Sequence, residues 1–432
     1  MKSCDRTSVT TSRFRWFAGT ESRFILCGMY IPRPAKLLFT LDDGWNTFLE
    51  EFGDSITPWT RLCVERMLAC GTTEMGVRRY CCSSSDCTHS RFFCQSCKSK
   101  ACSACGFKAT EQWVSQQSHI LPDCDWQHIT FTMPHLLWPF FNNNWPLLNT
   151  LFRAATRAML RWARKQGLEV GIFCALHTYG RQLNQHPHIH LSVTRGGLDI
   201  KHSIWRDIFF KKHAVEKIWR GAVTRLLRHS YNLINPGSLP GLRHIRDKKQ
   251  WQRYLEAQYR RRWKIHFAKK TRGAWKSVKY LGRYLKRPPV SAAKLRHYSG
   301  GAVVHHYYDH RTQQYRQQTL PQEEMIGRYI SHIPAKHFKM VRYYGFYQTV
   351  NGESCCQRCM KPWRWKSGKK PEQPGFAALM KGFLRTDPYK CILCGNRLRF
   401  VSAEAGRYAS ELVAERLHNI DRKRWLLEQS AG

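Results

Sequence analysis

The chain has 432 residues, which is long enough for two or three domains with a sizeable core. Its 71 lysines and arginines against 30 acidic residues give a net charge of +41 spread along the chain, so nucleic acid is the expected partner and a membrane surface is not. No secretory signal or transmembrane-length apolar run is visible, and the 18 cysteines include several close pairs, so we expect a cytoplasmic zinc-binding protein rather than a secreted disulfide-bonded one.

The N-terminal part begins with an irregular segment. Residues 1–28 show no clear period, and we expect a disordered extension there. An N-terminal helical and zinc-binding domain is expected over 29–120. Within it, apolar residues at three- and four-residue spacings predict a helix from Trp45 to Leu68.

A cysteine-rich stretch follows this helix. The close pairs are Cys82 and Cys87, Cys94 and Cys97, and Cys102 and Cys105. Structural zinc takes four thiolates or imidazoles in a tetrahedron, usually offered as close pairs from tight turns. These thiols therefore predict at least one zinc ion. With Cys70, Cys81 or His89 there are enough ligands for two, and which four bind which ion stays open at this point.

The next region, expected to form a catalytic domain over 121–335, has the pattern of an antiparallel sheet with helices on one face. The expected elements are strands over 126–134, 170–177 and 186–194 and an amphipathic helix over 145–165. The third strand contains His188-Ile189-His190, and period-two alternation puts both imidazoles on one face. Two neighbouring neutral imidazoles can bind one metal ion, so His188 and His190 are candidate metal ligands.

Basic helices follow the histidine strand. Residues 203–230 and 247–270 are expected to be helical, and on a chain this basic their charges favour a nucleic-acid surface. A third helix begins at Trp275 and is stopped by the proline pair at 288–289. It carries Tyr280 and Tyr284, which lie one turn apart on one side. The candidate phosphate-binding residues around them are Lys279, Arg283, Lys286 and Arg287.

The C-terminal part contains a second set of cysteines. A hairpin is expected over 302–319 and a helix over 322–333. A zinc ribbon is then expected within 336–400, and a helical tail over 401–432. The ribbon pairs are Cys356 with Cys359 and Cys391 with Cys394, and Cys355 is an alternative ligand.

Taken together, these motifs resemble those of the HUH nucleases, named for His, an apolar residue and His. The resemblance is to the two-tyrosine rolling-circle transposases of the insertion-sequence ninety-one group. It rests on His188-Ile189-His190, on Tyr280-x3-Tyr284, on the cysteines from Cys82 to Cys105 and on Arg342-Tyr343-Tyr344-Gly345, in that family's order. It runs from about Met29 to Cys394.

The resemblance implies an α+β fold, with a central antiparallel sheet of the RRM or palm kind, an N-terminal zinc domain and a C-terminal zinc ribbon. It implies a nucleoid-associated bacterial transposase that cleaves and rejoins single-stranded transposon ends through a 5′-phosphotyrosine, with Tyr280 and Tyr284 as nucleophiles and Mg²⁺ or Mn²⁺ on His188 and His190. Both zinc regions are expected to be structural, because four-thiolate zinc leaves no open position.

A third metal ligand is missing from the motif. Imidazole is not the preferred ligand of Mg²⁺, which binds oxygen, so an oxygen-bearing ligand is expected. Gln182, Asn184 and Gln185 are candidates, and His186 is an imidazole alternative.

Two other functions fit the same residues. A plasmid or phage replication initiator, or a relaxase, uses the same histidine and tyrosine motifs, although the absence of any helicase motif favours the transposase. A non-catalytic zinc-finger protein that binds DNA is the alternative from another class, with the histidines and tyrosines merely structural.

Overall fold

The computed structural model describes residues 34–99, 101–122, 124–199, 201–273, 275–285, 290, 294–298, 300–309, 311–347, 377, 381 and 385–430. The helices are α1 (Pro34–Thr40), α2 (Gly44–Phe52), α3 (Pro58–Ala69), α4 (Ser103–Ile120), α5 (Trp145–Arg164), α6 (Lys212–His229), α7 (Tyr231–Ile234), α8 (Lys248–Arg260), α9 (Trp275–Leu285), α10 (Gln322–Ile330) and α11 (Ala409–Ser430). The strands are β1 (Gly76–Cys82), β2 (Ser90–Cys94), β3 (Asp125–Phe131), β4 (Leu168–Glu169), β5 (Gly171–Tyr179), β6 (Gln185–Thr194), β7 (Gly196–Asp199), β8 (Ile204–Asp207), β9 (Ile265–Phe267), β10 (Thr271–Arg272), β11 (Leu295–Tyr298), β12 (Ala302–Asp309), β13 (Gln314–Pro321), β14 (Val341–Gly345) and β15 (Leu398–Ala405).

The central sheet is antiparallel, with strand order β10-β3-β6-β5-β14 and β9 paired on β3. Because side chains alternate along each strand, its two faces have different compositions. One face is mostly apolar and packs on α5, α6 and α8 around residues such as Ile129, Leu151, Leu191 and Trp219. These helices together with the sheet form the largest core of the described chain, and the antiparallel sheet expected from the sequence is confirmed.

The opposite face of the central sheet is mixed. At one end, Phe173 and Ala175 of β5 pack against Val278 and Leu281 of α9, with α4 behind them. Helices α4 and α9 approach closely at Gly282, where an added Cβ would lie 2.6 Å from Val114 Cγ2. The Thr110 hydroxyl also donates to the Gly282 carbonyl at 3.1 Å. At the other end, this face carries polar and imidazole side chains.

A second core lies at the N-terminal end of the chain. Helices α1 to α3 pack with α10 and with the three-stranded sheet β11-β12-β13 around Trp45, Met325 and Tyr329. The last helix, α11, docks on the same unit, since Ile420 is buried there and Arg416 pairs with the buried Glu65 at 2.5 Å.

A small sheet joins the two ends of the chain. Its strand order is β15-β1-β2, and β15 pairs antiparallel with β1 so that Cys82 lies opposite Leu398. The boundary expected at residue 400, between the zinc ribbon and the helical tail, therefore falls inside β15. Strands β4, β7 and β8 form another small sheet. Among the described residues, no helix has the length and apolarity needed to cross a membrane.

Several element predictions are corrected by the structure. The helix expected from Trp45 to Leu68 is two helices, because the residue before a proline disfavours the helical conformation and Thr57 instead caps α3 at Pro58. The helix expected over 203–230 begins only at Lys212, since β8 pairs with β7. The helix expected over 247–270 ends at Arg260, and the helical tail is preceded by β15.

Candidate functional site

Two adjacent strands bring three histidines together. His177 of β5 lies opposite His188 of β6, and His190 follows His188 on the same face. Each of these side chains offers one ring nitrogen, and the three nitrogens lie within 4.8 Å of one another. All three histidines are buried, with exposed fractions of 4–8 %. The arrangement has the composition of a three-imidazole metal site.

Hydrogen bonds orient two of these rings. The Nδ1 atom of His188 lies 2.6 Å from the His186 carbonyl oxygen, so Nδ1 carries the proton and Nε2 carries the lone pair. The Nδ1 atom of His190 lies 3.1 Å from His128 Nε2 and 3.3 Å from the Thr130 hydroxyl. A metal-binding histidine commonly uses one nitrogen for such an orienting contact and the other for the ion.

Burial keeps these imidazoles neutral. It lowers the pKa of His188 to about 3 and that of His128 to about 4, and it lowers the pKa of His190 well below the ordinary value. Neutral imidazole is the form that binds metal, so at neutral pH His188 and His190 can each offer a lone pair to a cation.

The third member of the group differs from the sequence expectation. His186, the imidazole candidate, does not belong to this group of histidines. The side-chain amide of Gln182 donates to the Tyr307 hydroxyl at 2.8 Å, and the ring of His186 lies 4.4 Å from that of Trp138. Asn184 and Gln185 belong to the β5–β6 connection and the start of β6. His177 takes the third position because the β5–β6 register sets it opposite His188.

Helix α9 lies over the same face of the sheet as the histidines. Its residues Val278 and Leu281 contact Phe173 and Ala175, and Ala175 is the register partner of His190. Tyr280 and Tyr284 are on this helix, one turn apart, although their side chains are not among those described. The structure therefore brings the tyrosine helix and the histidine group to one face.

The basic residues expected around the tyrosines are described only in part. Lys279 is exposed, with its ammonium 5.7 Å from the centre of the Trp275 ring. The side chain of Arg283, and all of Lys286 and Arg287, lie outside the described residues.

One group of four cysteines is buried in the N-terminal core. Its members are Cys70, Cys97, Cys102 and Cys105. The Sγ atom of Cys70 lies 3.7 Å from the Sγ atoms of Cys102 and Cys105. The Sγ atom of Cys97 lies 3.6 Å from that of Cys105. Tetrahedral zinc with Zn–S bonds of about 2.3 Å requires S–S distances of about 3.8 Å, which these match.

A second group of four cysteines, which we call the composite cysteine group, brings together cysteines from distant parts of the chain. Its members are Cys82, Cys87, Cys391 and Cys394. The Sγ atoms of Cys82 and Cys394 lie 3.3 Å apart, and those of Cys87 and Cys391 lie 3.8 Å apart. The backbone N–H of Cys394 holds the pKa of Cys391 down at about 6, which favours the thiolate that zinc binds.

Among the described residues, Cys391 and Cys394 lie with Cys82 and Cys87, because the β15–β1 ladder brings these segments together. The expected pairing of Cys391 and Cys394 with Cys356 and Cys359 falls partly outside the described residues. Cys355, Cys356 and Cys359 lie outside the described residues. Cys94 lies on β2 and belongs to neither group of described cysteines.

These groups predict the zinc content of the protein. We expect about two zinc ions per chain, because each group supplies four thiolates, and about one in Cys394→Ser. Mass spectrometry of metals in the purified protein measures both values. Cys94→Ser is the matched control and should keep two ions; loss of an ion from that variant would contradict the assignment.

Two family models match separate segments of the chain. A family model described as a transposase zinc-binding domain matches residues 40–133, and one described as a putative transposase matches residues 171–354. The first includes the buried cysteine group and the second includes the three histidines and α9. Cys391 and Cys394 lie outside both matched segments.

Curated relatives are similar over much of the chain. The transposase for insertion sequence element IS801 of Pseudomonas savastanoi pv. phaseolicola is 44% identical over 389 residues, covering 87% of this chain and 91% of the relative. The putative transposase y4qJ of Sinorhizobium fredii (strain NBRC 101917 / NGR234) is 28% identical over 289 residues, covering 64% of this chain and 71% of the relative. No solved structure matches the chain.

Proposed function

Because the chain belongs to the transposase family that includes the IS801 transposase, we propose that it cleaves and rejoins single-stranded DNA at transposon ends through a tyrosine-linked intermediate. The observation that carries this proposal is the shared face of the central sheet, where three buried histidines lie next to the helix of Tyr280 and Tyr284. The same geometry supports an HUH-type catalytic sheet and rolling-circle transposition.

The histidine group fits a divalent metal ion. His177, His188 and His190 supply three ring nitrogens on one face, and an ion with more than three coordination positions would have one left for a phosphate oxygen. An all-imidazole set suits Mn²⁺ better than Mg²⁺, which prefers oxygen ligands. When bound, such an ion acts as a Lewis acid on the scissile phosphate.

The tyrosines supply the nucleophile. The hydroxyl oxygen of Tyr280 or Tyr284 attacks phosphorus, the bond from phosphorus to the 3′ oxygen breaks, and a 5′-phosphotyrosine forms. The hydroxyl loses its proton and the departing 3′ oxygen gains one, so no cofactor is consumed. The second tyrosine can perform the matching attack on another strand, and a 3′-hydroxyl can reverse the reaction to join DNA.

The remaining features support DNA as the partner. The net charge of +41 favours phosphate binding, and the exposed Lys279 next to the tyrosines is suited to contacting the scissile strand. Both cysteine groups are complete four-thiolate sets, so we assign them to zinc that supports the fold and not the chemistry.

A covalent adduct tests the chemistry. We expect wild-type protein with single-stranded end DNA and Mn²⁺ to give a slower band on a denaturing gel. Tyr280→Phe and Tyr284→Phe should each reduce the adduct, and the double variant should abolish it, because phenylalanine lacks the attacking oxygen.

Tyr259→Phe is the matched control and should behave as wild type, since Tyr259 lies on α8, away from the tyrosine helix. An adduct formed by the double variant would show that the nucleophile is another residue. If the wild type gives none with its own end DNA, the non-catalytic DNA-binding alternative is favoured. Joining of cleaved transposon ends separates a transposase from a replication initiator or a relaxase.

A further inference from the structure

We infer that an aromatic surface on the small sheet β15-β1-β2 binds unpaired bases of single-stranded DNA. We call it the aromatic platform and define it by Tyr80, Phe93, Tyr389 and Phe400. It lies on a different sheet from the three histidines, so it holds a part of the DNA that is not being cleaved. The inference rests on the proposed function only for the identity of the nucleic acid.

Four rings form one contiguous group around Tyr80. The Tyr80 ring stacks on Tyr389 with centroids 4.9 Å apart, and it meets Phe93 and Phe400 edge-on at 5.3 and 5.6 Å. Phe93 also contacts Tyr389 at 5.5 Å. Each ring is thus held in place by its neighbours, which lowers the entropy that is lost when a ligand binds.

The strand register explains why these rings share one face. Tyr80 of β1 lies opposite Phe400 of β15, and Phe93 of β2 lies opposite Arg78, two residues before Tyr80. Tyr389 is brought against them by the segment that precedes Cys391, because its carbonyl accepts the Leu398 N–H at 2.7 Å. The composite cysteine group therefore fixes one side of the platform.

Within the described part of the chain, the rings of the aromatic platform are less buried than the side chains of the cores. Tyr80, Phe93 and Tyr389 are only partly buried, and Phe400 is 55% exposed. Phe131 and Phe173 of the central sheet are by contrast fully buried. Exposed rings that are rigidly held offer π faces to a flat ligand.

Arginines border the same rings. The Arg91 guanidinium lies 5.2 Å from the centre of Phe93 and donates to the Pro388 carbonyl, and that of Arg397 lies 5.6 Å from the centre of Tyr389. Arg78 is exposed beside them. Asp387 at this edge pairs with Arg397 at 2.7 Å and offsets one positive charge, so the three arginines still leave the border net cationic.

Stacked rings with a cationic border match single-stranded nucleic acid better than other partners. Every unpaired base has a π face that stacks on an aromatic ring, and the neighbouring phosphates are drawn to arginine. In a duplex the base faces are already stacked on one another, so a duplex would make only the contacts between phosphates and arginines. An apolar protein partner would pack against the rings but would not pair with the arginines.

Phe400→Ala tests the platform, because the ring is exposed enough for its removal to leave the fold intact. Affinity for a fluorescent single-stranded oligonucleotide, measured by anisotropy without divalent metal, should fall about 10-fold. Phe400→Trp should restore it. Affinity for the same sequence as a duplex should change less than about 2-fold. Trp425→Ala, which removes an exposed ring from α11, is the matched control and should bind as wild type.

Two outcomes would overturn the inference. One is unchanged single-strand affinity in Phe400→Ala. The other is an equal loss for single strand and duplex, which assigns the surface to phosphates alone. The adduct assay separates this inference from the proposed chemistry: at saturating DNA, Phe400→Ala should still form the phosphotyrosine adduct. Absence of an adduct in wild type, with the single-strand preference intact, would reject the chemistry and retain the platform.

Discussion

His177→Ala is expected to lower the rate of single-strand cleavage at least about 10³-fold, as much as His188→Ala. Removing one of three imidazoles takes away a third of the protein's metal ligands, and the loss of several kcal/mol of charge stabilisation gives a factor of this size. DNA affinity should stay within about 3-fold, since lysine and arginine contacts to phosphate dominate binding. Cleavage assays across a Mn²⁺ titration, with anisotropy for binding, measure both quantities.

His229→Ala is the control for this prediction, because His229 is an exposed histidine at the end of α6. It should cleave as wild type. High Mn²⁺ should partly rescue His177→Ala, since a weakened site can be filled by mass action. Wild-type cleavage by His177→Ala at low Mn²⁺ would mean that the third ligand is another residue.

The second large effect concerns stability. Cys97→Ser is expected to lower the melting temperature by roughly 10 °C or more, or to prevent folding of the N-terminal unit. The four thiols of its group lie inside the second core, and the binding energy of a structural zinc ion is folding energy of about 10 kcal/mol or more. Thermal unfolding followed by circular dichroism, with zinc content measured in parallel, tests this.

Cys63→Ser is the matched control for this substitution. Cys63 is also a buried thiol of the N-terminal core, but it belongs to neither cysteine group. Its replacement by serine should lower stability by about 1–2 kcal/mol, the cost of a buried hydroxyl. Equal melting temperatures for the two variants would show that Cys97 holds no zinc.

The histidine strand and its neighbours could be predicted from the sequence, because the signal is local. Strict alternation placed His188 and His190 on one face, and the strands on either side were correctly bounded to within three residues. The position of His177 also had a signal. It lies two residues before the end of β5, close to the short turn, so an antiparallel hairpin sets it opposite His188.

The composite cysteine group could not be predicted in the same way. Cys82 and Cys394 are 312 residues apart in sequence, and they meet only because β15 pairs with β1. That strand carries exposed residues on both sides along most of its length, so it has no buried face to mark it as a strand. From the sequence, the pair Cys356 and Cys359, which is nearer along the chain, is the expected partner of Cys391 and Cys394.

The pairing of β15 with β1 also has a consequence for synthesis of the protein. Translation at about 5–20 residues per second leaves Cys82 and Cys87 waiting roughly 15 to 60 s for their partners. During that time the three-histidine sheet can already form, since all its strands precede residue 346. A polypeptide released early, through a frameshift or a premature stop before Cys391, would keep the histidines and α9 but never complete the small sheet. Translation itself thereby limits the assembled aromatic surface to full-length chains.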